Sequence, residues 1–412
     1  MCHVSKSFAS LGLVLLLSSC QVVDQAVEAG RSLITDNTPI SIDISPWKPF
    51  QPLLLQPMPK HSGEVLAVRQ VSSTPPQLVS AGTDGNAIGW ELSSGSGYLL
   101  KGLGRSVEVA TIGQELPLMA YVADGKVFVT CITQCQGDWV LDRLKPRVID
   151  VAFHEHDSAL LIAGADGRIY RWRFEVDRLA TSLKERDKGL ERYIAHQTLL
   201  SHVAAHPSGR AFFSTDWDGM LFGWLPYTAD SHQGEYDRNL FGGRFFGGTG
   251  NFFKAPRAVD RGISSIAVSA TGERLAIGTE DGSVEVWDVR GFSLAAKKTH
   301  HTGRVTSVAI SSDGMTVASV SRDAQLVIGR LAQDERFRIS PQALPFTLQD
   351  VLTQTLAHGT GNLLFLSNNN LIFSSKDGRI GEIDLAHVKP IATPTPPPVA
   401  SSHSPTLADP DY

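Results

Sequence analysis

The chain has 412 residues, 42% of them apolar, and a formal net charge of −5 at pH 7. This length is enough for one large domain or two ordinary ones. The slight acidic excess argues against a nucleic-acid-binding protein, because a phosphate-binding face needs an excess of Lys and Arg. The 37 glycines and 22 prolines are typical of a chain with many tight turns.

The first 20 residues have the pattern of an export signal. Lys6 precedes an apolar run, Phe8–Leu17, that is too short to span a bilayer comfortably. The run ends in Leu17-Ser18-Ser19-Cys20, which resembles the lipobox of bacterial lipoproteins. The resemblance implies a signal peptide over 1–19, lipid on Cys20 and, because residue 21 is Gln rather than Asp, an outer-membrane location facing the periplasm. A plain secretory signal with an incidental cysteine is the alternative.

A repeated motif organises the chain after the signal: a β-rich run, a turn that begins with Asp, and a second β-rich run. Asp-Gly between alternating apolar runs predicts a hairpin, because Gly accepts a positive φ. Successive turns lie 40 to 63 residues apart, which is the period of a four-stranded unit with insertions. The seven turns begin at Asp84, Asp124, Asp166, Asp218, Asp281, Asp323 and Asp377. Four units have a Trp six residues after the Asp: Trp90, Trp172, Trp224 and Trp287.

These units resemble WD repeats, and the resemblance covers residues 50–388. Stacking seven four-stranded sheets radially buries both faces of each sheet and leaves only short edges. The predicted fold class is therefore all-β: a seven-bladed β-propeller of four-stranded antiparallel blades over 47–389. Residues 20–46 are predicted to be the lipidated tether, and the Pro-rich segment 390–412 a disordered tail.

The resemblance also implies a buried hydrogen-bonded tetrad in a blade, made of a His, a Ser or Thr, the turn Asp and the Trp. The predicted sets are His61, Ser80, Asp84 and Trp90; His196, Ser214, Asp218 and Trp224; and, without a Trp, His301, Ser319 and Asp323. His, Ser and Asp also suggest a catalytic triad, but a triad needs an exposed nucleophile and an oxyanion hole. An active site is not expected to recur in several blades, so we interpret the sets as structural and predict no catalytic residue.

Cysteines and channel carboxylates give little support for a metal site. Cys131 and Cys135 flank a predicted hairpin turn, and an exported protein lies in an oxidising compartment. The sequence is therefore consistent with a disulfide between these two cysteines and equally with two free thiols. Two cysteines alone fall short of the four ligands of a structural zinc site. The predicted innermost strands carry Glu64, Glu108 and Asp150, which do not share one register. The sequence therefore predicts neither a metal nor a cofactor.

Two insertions separate the repeats. Leucines at roughly helical spacing predict a short amphipathic helix over 175–193, packed on the rim or exposed to solvent. The second insertion, 226–262, contains five phenylalanines among glycines: Phe241, Phe245, Phe246, Phe252 and Phe253. Exposed aromatic residues are enriched where partners bind. We predict that these side chains bind a partner or fold back over the propeller as a plug; a loop that dips into the membrane is a weaker alternative.

The way such repeats close predicts one further strand. The first repeat begins with an innermost strand, so the outermost strand of the last blade is missing from the C-terminal end. The resemblance implies that Pro49–Pro57 supplies this strand beside Arg379–Leu385 and joins the two ends of the ring.

Residues that precede the turn Asp lie on the narrow face of the propeller in this family. Trp217, Arg322 and Lys376 occupy such positions and are predicted to contact a partner, because Trp and Arg are common in binding hot spots. The sequence therefore predicts a monomeric propeller that is a non-catalytic scaffold or assembly factor of the bacterial cell envelope and binds envelope proteins. The alternatives are a propeller enzyme or a carbohydrate or peptidoglycan binder that acts at the central channel.

Overall fold

The computed structural model describes residues 61–71, 77–91, 96–115, 118–132, 138–154, 158–176, 183–194, 196–209, 211–225, 251–254, 262–338, 343–356 and 361–387. Cys20, the tether, the predicted closing strand and the C-terminal tail lie outside these ranges. Within them, no helix has the length and apolar character that a bilayer crossing requires.

The described chain forms seven antiparallel sheets in which the strands follow chain order from the innermost outwards. Blade 1 contains β1 (Val65–Val71), β2 (Gln77–Gly82), β3 (Asn86–Glu91) and β4 (Ser96–Gly102). Blade 2 contains β5 (Val109–Ile112), β6 (Leu118–Ala123), β7 (Lys126–Cys131) and β8 (Asp138–Leu141). Blade 3 contains β9 (Val148–His154), β10 (Ala159–Gly164), β11 (Arg168–Val176) and β12 (Leu183–Ile194).

The second half of the ring follows the same order. Blade 4 contains β13 (Leu200–Ala205), β14 (Phe212–Asp216), β15 (Leu221–Leu225) and β16 (Asn251–Lys254). Blade 5 contains β17 (Ile263–Val268), β18 (Arg274–Thr279), β19 (Ser283–Asp288) and β20 (Ser293–Thr299). Blade 6 contains β21 (Val305–Ile310), β22 (Thr316–Ser321), β23 (Gln325–Gln333) and β24 (Phe346–Thr355). Blade 7 has three described strands, β25 (Leu363–Phe365), β26 (Asn370–Ser374) and β27 (Ile380–Asp384).

The seven blades form a closed ring. Each innermost strand contacts the innermost strand of the next blade, and β25 of blade 7 contacts β1 of blade 1. Asn362 Nδ2 donates a hydrogen bond to the Val65 carbonyl at 2.8 Å across this last junction. Ile372 and Ile380 of blade 7 pack there against Leu78 and Trp90 of blade 1. The predicted all-β, seven-bladed propeller is confirmed.

The core is divided among the junctions between blades. Seven clusters of buried apolar side chains each join one pair of neighbouring blades. This arrangement explains the sequence of the second and third strands: β6, for example, is LMAYVA and is buried along its whole length, because both of its faces meet another blade. Each blade is therefore stabilised by its neighbours rather than by a core of its own.

Turns that begin with Asp join the second and third strands, as predicted. At Asp124-Gly125 both residues have positive φ, 51° and 71°, which is the conformation of a type I′ hairpin turn. The Gly that follows the Asp has a positive φ in six of the seven turns, and Ala324 takes its place in blade 6 with φ 62°. The turn Asp therefore marks the same end of every blade.

The structure corrects the predicted helix. Residues 183–194 form β12, the outermost strand of blade 3, which pairs with β11. The charged residues that suggested a solvated helix instead lie on an edge strand, where charge discourages pairing with other chains. One of these charged residues, Glu191, also makes contacts within the blade: it accepts a hydrogen bond from Arg171 Nη1 at 2.6 Å and from the Tyr193 hydroxyl at 2.8 Å. The leucine spacing in this segment was too sparse to distinguish a helix from a long strand.

The second insertion is also shorter than predicted. Residues 251–254 form β16, the outermost strand of blade 4, in which Phe252 is paired with Trp224 and Phe253 with Gly223. Two of the five phenylalanines are therefore in a blade rather than in a loop. Phe241, Phe245 and Phe246 lie outside the described residues.

Closure of the ring leads to a prediction at Gly378. Its φ is +85°, and a Cβ there would overlap the carbonyl group of His61 in the neighbouring blade. Gly125 has a similar φ of +71° but has nothing within 4 Å of such a Cβ. We expect Gly125→Ala to lower the free energy of unfolding by about 1 kcal/mol, from backbone strain alone, and Gly378→Ala by about 2 kcal/mol, because the clash adds to the strain. Urea unfolding followed by circular dichroism measures both; equal losses would contradict a close contact between blades 7 and 1.

Candidate functional site

The first blade contains a complete hydrogen-bonded tetrad. Trp90 Nε1 donates to Ser80 Oγ at 2.8 Å, and the same Oγ lies 2.8 Å from His61 Nε2. His61 Nδ1 lies 3.0 Å from Asp84 Oδ1. Because the indole can only donate, the Ser80 hydroxyl proton is available for His61 Nε2, and the His61 Nδ1 proton then points to the carboxylate. The tetrad therefore links β2, β3, the turn between them and the segment before β1 through one directed chain of hydrogen bonds.

The geometry of Ser80, His61 and Asp84 is that of a triad, but the environment is not. Ser80 and His61 are both 0% exposed, so no substrate carbonyl can reach the serine oxygen. That oxygen is also occupied by the Trp90 indole. A nucleophile must be accessible to be used, and this arrangement can therefore stabilise a blade but cannot attack a substrate.

Blade 4 carries a tetrad in which the acidic member differs from the prediction. Trp224 Nε1 donates to Ser214 Oγ at 2.7 Å, and Ser214 Oγ lies 2.6 Å from His196 Nε2. The partner of His196 Nδ1 is Asp216 Oδ2, at 2.7 Å, rather than Asp218. Asp216 is 1% exposed, whereas Asp218 is exposed. The predicted role of Asp218 is therefore corrected to Asp216.

A comparison of the turns gives the physical reason. In blade 1 the position of Asp216 is occupied by Gly82, since both accept the same turn hydrogen bond from the Gly three residues later. A Cβ at Gly82 would overlap His61 Nδ1 and lie 2.8 Å from Asp84 Oδ1. A side chain at this position therefore points directly at the histidine, and in blade 4 it reaches His196 first.

Blade 6 retains part of the tetrad, and blade 2 has a different polar network in its place. In blade 6, His301 Nε2 lies 2.8 Å from Ser319 Oγ and His301 Nδ1 lies 3.2 Å from Asp323 Oδ2, as in the predicted three-membered set. In blade 2, the carboxylate of Asp138 accepts from Thr130 Oγ1 at 2.6 Å and pairs with Lys101 at 3.0 Å. Burial beside Asp138 raises the pKa of Tyr121 to about 12.

Blade 5 has a buried carboxylate that no sequence motif indicated. Glu285 is 0% exposed; its Oε2 accepts from Trp287 Nε1 at 3.0 Å and its Oε1 lies 2.9 Å from Lys297 Nζ. Burial raises the pKa of Glu285, against the opposing effect of Lys297 and Trp287. Trp287 is thus satisfied by an ion pair instead of a serine.

The buried histidines predict how stability depends on pH. Burial lowers the pKa of His61, His206 and His301 below the ordinary value of 6.5, and outweighs the opposing hydrogen bonds. The unfolded chain therefore binds protons more readily at these residues, and we expect the melting temperature to fall as the pH decreases below about 6.5. Asp84 adds a second loss at lower pH: burial raises its pKa, but the hydrogen bonds from His61 and from the Ser62 N–H outweigh this, so the net pKa is lowered.

One histidine has the opposite effect and provides the control. Burial lowers the pKa of His202, but the hydrogen bond and charge of Asp150 raise it by more, so the net pKa is raised. His202 therefore contributes stability that is present below pH 6.5 and is lost as the pH rises. Thermal melts from pH 8 to pH 5 should show a steeper acid-side loss in His202→Gln than in wild type. A wild-type melting temperature that rises from pH 7 to pH 5 would contradict the assignment.

The innermost strands carry a polar network that joins three blades. His202 on β13 lies 3.1 Å from Asp150 Oδ2 on β9 and 2.9 Å from the Ser264 carbonyl on β17. Asp150 also accepts the Val203 N–H at 3.1 Å. Among the described residues, no group of three or more His, Cys, Asp and Glu side chains could hold a metal ion. These polar groups therefore bind neighbouring blades together.

The face on which the seven Asp turns lie, called here the turn face, contains a stacked Trp and Arg. The Arg304 guanidinium carbon lies 4.7 Å from the centre of the Trp217 ring. Trp217 belongs to blade 4 and Arg304 to blade 6, so the pair extends across blade 5. Gly262 makes this arrangement possible, because a Cβ there would lie 2.8 Å from the Trp217 carbonyl oxygen and 3.2 Å from its ring.

Apolar and basic groups surround this stacked pair. Leu199 is 50% exposed, and its carbonyl accepts the Trp217 N–H at 3.2 Å. Arg322 is exposed, and its N–H donates to the Arg304 carbonyl at 3.0 Å. We call Leu199, Trp217, Arg304 and Arg322 the Trp217 patch. Trp217 and Arg322 were predicted as contact residues, whereas Leu199 and Arg304 were not, because each directly precedes an innermost strand and not a turn Asp.

The other predicted site residues lie apart from this patch. Lys376 is exposed in the turn of blade 7. Cys131 is disulfide-bonded at the end of β7, and its predicted partner Cys135 lies outside the described residues. The described residues therefore assemble one coherent surface site, the Trp217 patch, from positions in blades 4 and 6.

Comparison with known proteins agrees with the repeats. The family model described as WD domain, G-beta repeat (WD40) matches residues 253–288 and 293–328. Each match begins in the outermost strand of one blade and continues through three strands of the next.

Curated relatives match parts of the chain at low identity. The chain is 26% identical over 183 residues to pre-mRNA-processing factor 19 homolog 2 of Arabidopsis thaliana, which covers 43% of this chain and 29% of that protein. It is 29% identical over 169 residues to striatin-4 of Homo sapiens, covering 39% and 21%, and 28% identical over 134 residues to periodic tryptophan protein 2 homolog of Dictyostelium discoideum, covering 32% and 13%. The chain thus spans less than a third of the length of each relative. The matched repeats and the seven blades together identify the domain as a seven-bladed β-propeller that contains WD40 repeats.

Proposed function

We propose that the protein is a non-catalytic protein-interaction scaffold or assembly factor of a bacterial cell envelope, held at the membrane by lipid on Cys20. The observation that carries the scaffold role is the Trp217 patch. A half-buried Trp next to a half-exposed Leu is an apolar surface that costs free energy to leave in water, and Trp with Arg is a frequent hot-spot combination.

The location rests on the sequence alone. Leu17-Ser18-Ser19-Cys20 after a short apolar run supports lipidation, and the residue that follows, Gln21, supports the outer membrane. A mature lipoprotein has more than one buried acyl chain, which is sufficient for stable anchoring. The partners are then envelope proteins that approach the propeller from the periplasm.

No specific observation favours a channel enzyme or a sugar-binding protein. On the innermost strands of the described chain, Asp150 and His202 are bonded to each other and to neighbouring backbone groups. The serines of the two tetrads and of the three-membered set in blade 6, which are the groups with triad geometry, are at most 2% exposed. Binding of a partner on the surface is the function that these contacts favour.

The experiment is in-cell crosslinking followed by affinity purification of the full chain in a Gram-negative host that carries its native envelope. Three variants separate the parts of the proposal: Cys20→Ser, Trp217→Ala, and a deletion of 237–248 that leaves β16 intact. We expect a discrete envelope protein with wild type, loss of that protein with Trp217→Ala, and release from the membrane fraction with Cys20→Ser. If wild type and Trp217→Ala recover the same proteins but the deletion does not, the aromatic insertion is the binding surface instead. Recovery of no specific protein by wild type would contradict the scaffold role.

A further inference from the structure

The charges on the turn face are distributed unevenly among the blades. Arg304 and Arg322 of blade 6 and Lys376 of blade 7 lie on one arc, and Arg322 and Lys376 are exposed. Glu64 of blade 1 and Glu108 of blade 2 lie on another part of the same face, and Glu280 of blade 5 lies beside Arg304. The chain as a whole has a net charge of −5, so the arc formed by Arg304, Arg322 and Lys376 is a basic region on the surface of an acidic protein.

The position of the Arg304 guanidinium group suits the binding of an anion. Stacking on Trp217 at 4.7 Å fixes the guanidinium next to the ring and leaves the in-plane N–H groups to donate. Arg304 Nε is buried without a hydrogen-bond partner among the described residues. Burial, together with the neighbouring Arg322, lowers the pKa of Arg304 despite the opposing charge of Glu280. A carboxylate from a partner would pair with the accessible part of Arg304 and with the exposed Arg322 beside it.

On this basis, and resting on the scaffold role proposed above, we propose that the Trp217 patch binds an acidic segment of a partner protein, with an aliphatic or aromatic side chain against Leu199 and Trp217 and carboxylates on Arg304 and Arg322. The apolar pair gives the contact its anchor, and the two arginines select for Asp or Glu next to it. Charge complementarity identifies the occupant: a basic segment would place its cations next to two arginines, whereas the carboxylates of an acidic segment would pair with them.

An anionic membrane surface fits this face less well than a narrow segment. Glu64, Glu108 and Glu280 lie on the same face, so a flat anionic surface that touched the arginines would also meet these carboxylates. A single extended segment can follow the arc from Arg304 to Lys376 away from Glu64 and Glu108, so that of these three carboxylates it meets only Glu280, beside Arg304. The shape of the charge distribution therefore favours a peptide segment over a bilayer.

The test is selection of a displayed library of random 12-residue peptides on the purified full chain, followed by anisotropy titration of the selected peptides. The variants are Arg304→Gln, Arg322→Gln and Arg304→Lys, with Arg290→Gln as the matched control. Arg290 is 74% exposed, pairs with Glu273 and lies in the turn at the opposite end of blade 5. Thermal melts show whether each variant is folded.

We expect the selected peptides to contain two or more Asp or Glu beside an apolar residue, and their affinity to decrease at least about tenfold in Arg304→Gln and Arg322→Gln. Arg304→Lys should recover only part of the loss, because Lys keeps the charge but not the planar fork, and Arg290→Gln should have no effect. Peptides without acidic enrichment, or affinity unchanged in Arg304→Gln, would overturn the inference.

Two further arms distinguish other occupants. Vesicles of phosphatidylglycerol and phosphatidylethanolamine that bind wild type but not Arg304→Gln, with no acidic peptide selected, would assign the patch to a lipid surface and overturn the inference. Acidic peptides that bind only after residues 237–248 are deleted would assign the patch to the chain's own insertion and likewise overturn it. In both cases a specific envelope protein recovered by crosslinking would leave the scaffold role intact, so the two proposals fail separately.

Discussion

We expect Asp216→Ala to lower the free energy of unfolding by about 3 kcal/mol, and Asp218→Ala to change it by no more than about 0.5 kcal/mol. Both residues are aspartates in the same turn, and Asp218 is the one that the repeat motif selects. The difference follows from their environments, because Asp216 is 1% exposed whereas Asp218 is exposed.

The expected loss at Asp216 comes from the groups that it satisfies. Its carboxylate lies 2.7 Å from His196 Nδ1 and accepts the N–H groups of Asp218 at 3.0 Å and Met220 at 2.8 Å. Removing it leaves the buried donor of His196 and two turn N–H groups without their acceptor, at a cost of about 1 kcal/mol or more for each group that stays buried. Asp218 donates only its backbone N–H to this network, which Ala retains.

Equilibrium unfolding in urea, monitored by circular dichroism and tryptophan fluorescence, measures both variants. The His196 tautomer provides an independent readout, since loss of the carboxylate removes the acceptor that holds the proton on Nδ1. An equal or larger loss in Asp218→Ala than in Asp216→Ala would show that the motif, rather than the geometry, identifies the acidic member of this tetrad.

The case of Asp216 shows what the repeat pattern could and could not predict. The pattern located the seven turns and the blades, because a hairpin turn has a local signature that is independent of its surroundings. It placed the histidine, serine and tryptophan of blade 4 correctly next to one another. It missed Asp216, because the equivalent position in blade 1 is Gly82, which has no side chain and therefore takes no part in the tetrad of that blade. Only the distance from Asp216 to His196 in the folded protein shows the role of this Asp.

Other features depend on contacts between distant parts of the chain. Arg304 meets Trp217 across an intervening blade, and this is allowed only because Gly262 has no side chain in the way. A helix was predicted over 175–193 because its leucines recur at roughly helical spacing, whereas the pairing of β12 with β11 decides the structure of 183–194. Local patterns therefore predicted the fold, but the surface site depends on which blades are neighbours.

The second large effect is expected at the buried ion pair of blade 5. We expect Lys297→Met to lower the free energy of unfolding by about 3 kcal/mol at pH 7, because it leaves the buried carboxylate of Glu285 without its cation. Glu285 is 0% exposed, and the Trp287 N–H is the other donor that reaches it. The neighbouring Lys298 provides the matched control: it pairs with Asp350 at 2.7 Å, but its own side chain is 38% exposed and that of Asp350 is 26% exposed. Lys298→Met should therefore cost no more than about 1 kcal/mol.

The pH dependence distinguishes a lost ion pair from lost packing. Burial already raises the pKa of Glu285 above 4.5 in the folded protein, so the folded state holds this proton more tightly than the unfolded chain. Its contribution to stability is then fully present below about pH 4.5 and decreases as the pH rises. Removing Lys297 raises the pKa of Glu285 further, so the deficit of Lys297→Met relative to wild type should be small near pH 4 and should grow towards pH 7.

A double variant completes the argument. Glu285→Gln combined with Lys297→Met removes the charge while keeping an oxygen that can accept the Trp287 N–H, so it should regain most of the stability lost by Lys297→Met and lose the excess pH dependence. Urea unfolding at pH 4, 5.5 and 7 measures all four proteins. A deficit in Lys297→Met that is the same at pH 4 and pH 7, or that the double variant does not reduce, would mean that Lys297 stabilises blade 5 through its aliphatic chain rather than through its charge. In that case Glu285 would still accept the Trp287 N–H in blade 5, but a group other than Lys297 would offset the cost of burying its carboxylate.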